Sequence, residues 1–104
     1  RWIANQVHFK GVLVLDNGAV LKLRSQGSSL LSVGVKSAEG NFLRGDIVKC
    51  VDDKGKLVAQ GVINYSSDDA RTIKGVASER FSDVLGYLGE EELVHRDNLI
   101  VSPD

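Results

Sequence analysis

The sequence predicts a mainly β domain interrupted by short helices, an α+β fold closed into a compact mixed barrel rather than a doubly wound sheet. Three observations predict it. Apolar residues recur with a period of two, not 3.6, along much of the chain. The strand-like runs are short and rich in Val, Leu and Ile. Eleven glycines in 104 residues exceed the roughly 7% average, as a small and sharply bent sheet demands. That length allows one domain with one modest core.

Each element follows from local chemistry. Gly11-Val-Leu-Val-Leu-Asp16 is the first strand. Asp16 is a good N-cap, so a helix runs from it toward Arg24 with Ala19, Val20 and Leu23 facing inward. Leu31, Val33 and Val35 alternate with Ser32, Gly34 and Lys36, which predicts a half-buried strand with its bulky residues inside. Strands over Asp46–Val51 and Leu57–Asn64 are joined through Asp53-Lys54-Gly55-Lys56, a hairpin turn with Gly55 at positive φ. A second helix follows Ser66-Ser67-Asp68-Asp69, which offers a capping hydroxyl and first-turn carboxylates. Arg71 and Lys74 favour its last turn, and Gly75 ends it. A third helix starts near Ser78, sets Phe81, Val84, Leu85 and Leu88 on one face and stops or kinks at Gly86. Asn98–Val101 is the closing strand.

The composition narrows the function. Net charge is −1, but residues 1–50 carry seven Lys/Arg against three acids, and residues 51–104 carry six against eleven. Nucleic-acid-binding domains show a strong basic excess, and here only one half of the chain is basic. No apolar run approaches the roughly 18 residues of a membrane span. The lone Cys50 lies in a strand-like run and reads as an inert core thiol, in keeping with a reducing cytoplasm. Arg1-Trp2-Ile3 reads as mid-chain sequence, so a fragment of a longer protein is expected.

Several motifs spell chemistry they do not perform. His95-Arg96-Asp97 has the letters of the protein-kinase catalytic loop, but no metal-binding Asn follows at the required spacing, and no DFG or glycine-rich nucleotide loop is present. It reads instead as a polar turn before the closing strand. Arg44-Gly45-Asp46 reads as a tight turn opening a strand, with Asp46 bonding turn amides. Asn64-Tyr65-Ser66 matters as a glycosylation sequon only in a secreted chain. His8 and His95 are far apart in sequence and lack metal-ligand spacing, and no G-x-S-x-G elbow occurs. No catalytic, cofactor-binding or metal-binding residue is therefore assigned. For nucleic acid the candidates are Lys22, Arg24, Lys36, Arg44 and Lys49. Lys22 and Arg24 on the first helix and Lys36 on the next strand form one potential phosphate-contacting surface. Only six aromatic residues are available for base stacking, and Phe42 and Phe81 are expected in the core.

Six motifs then appear in order: Asp16-Asn-Gly-Ala19, Ser29-Leu-Leu-Ser-Val-Gly-Val35, Gly40-Asn-Phe-Leu-Arg-Gly-Asp46, Gly61-Val-Ile-Asn-Tyr-Ser-Ser67, Leu85-Gly-Tyr87 and His95-Arg-Asp-Asn-Leu99. Together, over roughly residues 11 to 101, they resemble the C-terminal PUA domain of the bacterial glutamate 5-kinase (gamma-glutamyl kinase) family. The resemblance implies a PUA-like pseudo-barrel of five or six strands over residues 11–104, with residues 1–10 ending a preceding amino-acid-kinase domain or linker. It implies a parent enzyme that transfers the γ-phosphate of ATP to L-glutamate at the start of proline biosynthesis. ATP and Mg²⁺ would bind in the N-terminal kinase domain, leaving this domain non-catalytic and concerned with regulation or assembly of a cytoplasmic homo-oligomer. PUA domains elsewhere, as in pseudouridine synthases, bind structured RNA with the first helix and following strand. That alternative maps here to Lys22, Arg24, Gly34, Lys36 and Arg44. Two departures stand out: Ser32 where the family often has Pro, and Gln60 where Arg is common.

Overall fold

The computed structural model describes residues 8–87 and 89–103. Its elements are β1 (Gly11–Leu15), α1 (Asn17–Gln26), β2 (Val35–Gly40), β3 (Ile47–Val51), β4 (Leu57–Val62), α2 (Ser67–Ile73), α3 (Phe81–Leu85) and β5 (Leu99–Val101). Short 3-10 turns at Ser32–Gly34, Ser78–Arg80 and Arg96–Asn98 lead into β2, α3 and β5. The five strands form one sheet in the order β2-β1-β3-β4-β5. All neighbours are antiparallel except β1 and β3, which run parallel. Two backbone bonds of Leu30, its N donating to the Val94 carbonyl at 2.9 Å and its carbonyl accepting from Leu93 N at 2.8 Å, tie the segment after α1 to the segment before β5 and draw the sheet toward closure. No helix among the described residues is long and apolar enough to cross a membrane.

Strand alternation sorts side chains onto two faces. The row Ala38, Leu13, Cys50, Ala59 and Val101, in register across all five strands, points to the core. Burial pushes the Cys50 thiol up to about 12, so it is protonated and inert. The adjacent row places Gly40, Gly11, Val48, Gly61 and Leu99 side by side. Two of these glycines are needed for close approach. A Cβ on Gly11 would lie 2.3 Å from the Phe42 ring, and one on Gly61 would lie 2.5 Å from the Asn98 carbonyl oxygen. Phe42 and the 93–98 segment therefore settle directly on the sheet backbone. Phe81 is fully buried and meets Tyr65 edge to face at 5.9 Å.

The helices are set by their caps. The Asp16 carboxylate accepts from Ala19 N at 2.8 Å, and Val20 and Leu23 are buried as expected. Ser66 Oγ accepts from Asp69 N, Asp68 and Asp69 occupy the first turn of α2, and Gly75 follows at φ 76°. The third helix is only partly as expected. It begins as a 3-10 turn at Ser78, Phe81 is buried and Leu85 packs on the core, but Val84 faces outward. Leu88 lies outside the described residues.

One strand expectation is overturned. Leu31 to Gly34 do not form an inward-facing strand: Leu31 and Val33 are exposed, while Ser32 and Gly34 are buried in a 3-10 turn. Tertiary bonds invert the phase. Ser32 Oγ donates to the Val76 carbonyl at 2.7 Å, and its own carbonyl accepts from Gly75 N at 2.7 Å. Gly34 gives its carbonyl to Asp16 N at 2.9 Å and lies so close to α1 that a Cβ would meet the Ala19 methyl at 2.6 Å. Ser32 thus makes through its hydroxyl a hydrogen bond that a proline could not make.

Candidate functional site

The His95-Arg96-Asp97 letters are structural. His95 Nδ1 accepts from Asp97 N at 3.1 Å, capping the 3-10 turn into β5, and Arg96 N donates to Ser29 Oγ at 2.8 Å. The turn pins the segment after α1 to the closing strand. Arg44-Gly45-Asp46 is likewise a turn: the Asp46 carboxylate accepts from Leu43 N at 2.8 Å, and Gly45 sits at φ 96°.

A cleft of about 310 Å³ lies between α1 and the Ser32–Gly34 turn. Asp16 caps α1 at one end, Lys22 and Gln26 project along one wall, and Ser29, Leu31 and Val33 form the other. Gly34 closes the floor where α1 comes nearest. The charged groups among its described lining are Lys22 and Asp16, and the Asp16 carboxylate already accepts from the helix amide. Lys36 stands exposed two residues beyond Gly34, at the start of edge strand β2. Lys22 and Gly34 thus line this cleft, and Lys36 follows Gly34 along the chain outside the lining.

The other two candidates point elsewhere. Arg24 lies on the opposite flank of α1, with Gly27, Val101 and Ser102. Its charge reaches Asp52, whose pKa is lowered first by the backbone amide of Lys56 and further by that of Lys54 and by Arg24. Arg44 sits beside a separate hollow of about 170 Å³ with Tyr65, Asp69, Tyr87 and Glu90, and its guanidinium lies 3.5 Å from the Glu90 carboxylate. There Tyr65 donates to the Glu90 carbonyl and Tyr87 donates to the Asp69 carboxylate. The Asp69 bond is the first cause that pushes the Tyr87 pKa up to about 12. Lys49 lies on the outer face of β3, its ammonium 5.9 Å from the centre of the Phe9 ring. Gln60 is its cross-strand neighbour and lies on the sheet, not in the cleft lining.

Sequence reasoning missed that the cleft has apolar lips. Leu31 and Val33 are 42% and 54% exposed there, and period-two patterning had assigned both to the core. The signal that could have found them is the buried Ser32 between them, but its partner Val76 is 44 residues away.

Comparison with known proteins agrees with this architecture. The PUA-domain family model matches residues 11–85. A glutamate 5-kinase of Chromohalobacter salexigens is 54% identical over 97% of this chain, and one of Teredinibacter turnerae is 51% identical over 98%. The chain spans about 27% of the length of either relative. Among solved structures, a PUA domain (APE0525) of Aeropyrum pernix K1 superposes with a TM-score of 0.59 at 25% identity, over 83% of this chain and 41% of that one. The Nop10–Cbf5 complex of an archaeal box H/ACA sRNP gives 0.56 at 23% identity, over 84% and 25%, a likeness of fold. A family match over most of the strands and all three helices, on a barrel shared with these structures, shows that the chain belongs to the PUA-domain family.

Proposed function

We propose that this chain is the C-terminal accessory domain of a cytoplasmic glutamate 5-kinase and that it serves regulation or assembly of that enzyme, not its chemistry. The observation that carries the reading is the extent of the match: glutamate 5-kinases at about half identity cover nearly the whole chain. In this reading ATP and Mg²⁺ bind in the amino-acid-kinase domain of the longer protein, which transfers the γ-phosphate to the glutamate side-chain carboxylate and works as a homo-oligomer. The described residues hold no group of three His, Cys, Asp or Glu side chains arranged for a metal ion. His95, Asp97 and Asp46 are engaged in turns, and Cys50 is sealed in the core. The test is phosphotransfer from ATP to glutamate by the longer protein and by residues 1–104 alone. Turnover is expected only from the former, and turnover by the fragment would overturn the assignment.

A second reading, a structured-RNA module, is favoured by Lys22 and Gly34 lining one cleft, with the exposed Lys36 two residues beyond Gly34. It requires salt-dependent binding: a few phosphate contacts weaken affinity by roughly ten-fold or more between about 50 and 200 mM salt. Lys22→Ala and Lys36→Ala would each reduce that binding. The cleft's single lysine and apolar lips make this the weaker reading.

A further inference from the structure

We infer that the outer face of the sheet is the surface on which the kinase domain of the same polypeptide docks, an inference that rests on the accessory-domain reading above. Across the five strands the outer row runs Glu39, Val12, Lys49, Gln60 and Ile100. Beside it, half-buried Val14 pairs with buried Val51, and exposed Ile47 pairs with half-buried Val62. A sheet face left to water alternates apolar-in with polar-out, yet here Val, Ile and Leu dominate the outward positions. Ile100 is 65% exposed and Ile47 is 38% exposed. The helices turn their buried residues to the other face: Val20, Leu23, Ala70, Ile73 and Phe81 belong to the core cluster that holds Leu13, Cys50 and Ala59.

Two observations name the occupant. Phe9, two residues before β1, already lies against this face, with the Lys49 ammonium 5.9 Å from its ring centre. The described residues that lead into β1 therefore meet this face at Phe9. The glutamate 5-kinase relatives also hold nearly three quarters of their length beyond the part matched by this chain. The patch is mainly apolar, with Lys49 and Glu39 as its charges, which suits a protein partner better than a phosphate backbone.

The test uses the full-length protein with methyl-labelled Ile, Leu and Val and a soluble gadolinium chelate that broadens accessible methyls. In the domain Ile100 is at least as open as Leu31 and Val33, so docking is expected to reverse the order, with Ile100 broadened several-fold less than either. Equal or greater broadening at Ile100, or protection of Leu31 and Val33 instead, would overturn the inference. The full-length variant Ile100→Glu should restore several-fold broadening at Val12 and Val62, and no change there would also count against it. Glutamate phosphorylation is measured on the same sample. Turnover with an exposed Ile100 removes the docking surface alone, whereas absence of turnover removes the kinase domain as occupant whatever the methyls show.

Discussion

On the inner face of the sheet, Leu13, Cys50 and Ala59 lie in register and are fully buried; one residue along the same strands, Val12, Lys49 and Gln60 form an outer row that is only half-buried. What separates them is cover. The inner face is closed by Phe42, Phe81 and the 93–98 segment, admitted where Gly11 and Gly61 leave the backbone bare. The outer face has only Phe9 in contact with Lys49 among the ring contacts described. The comparison teaches that inner positions hold the fold, while outer positions are free to serve a partner.

The sharpest way to break this division is at its centre. Phe81→Ala should cost about 3–5 kcal/mol in denaturant unfolding, as expected for a fully buried aromatic. Next, Gly61→Ala should cost about 1–3 kcal/mol, because its methyl would strike the Asn98 backbone and not a yielding side-chain tip. Ser32→Ala should cost about 1 kcal/mol through loss of the bond to Val76. Ile100→Glu, on the outer face, should change the stability of the domain by no more than about 0.5 kcal/mol. A large loss from Ile100→Glu in the isolated domain would mean that the outer face also holds the fold, and the contrast would fail.

Smallest of all is a spectroscopic sign at the Arg44 hollow. The Tyr87 phenol is bonded to Asp69 and titrates up at about 12 in the folded chain, against roughly 10 when unfolded. Its folded pKa is the higher, so its contribution is complete below pH 10 and is lost as pH rises toward 12. Asp69→Asn should bring the ultraviolet titration of Tyr87 back toward the ordinary range.

Much of the fold was legible because local signals agreed with it. Asp16 and Ser66 cap their helices, Gly55, Gly75 and Gly86 take positive φ where turns or helix ends were expected, and four of the five predicted strands form close to their expected positions. The exception, Leu31–Gly34, failed because its phase is set by Val76, Asp16 and Ala19, none of them a sequence neighbour. The parallel pairing of β1 with β3 is likewise a matter of topology and not of periodicity. The candidate site was legible only as a list of charges. Lys22 and Arg24 lie two residues apart, but that is roughly 200° around a helix, so they face the cleft and the opposite flank. Arg44 is held beside Glu90, a partner 46 positions later in the chain.

The central claim is that this domain serves a kinase whose chemistry lies elsewhere in the polypeptide. Its most direct test compares the full-length protein with one lacking residues 11–104, measuring glutamate phosphorylation and oligomer size together. The account predicts that the shortened protein still transfers phosphate from ATP to glutamate, with its assembly or its response to effectors altered. Loss of phosphotransfer from a shortened protein that remains folded, with activity recovered in residues 1–104, would contradict it.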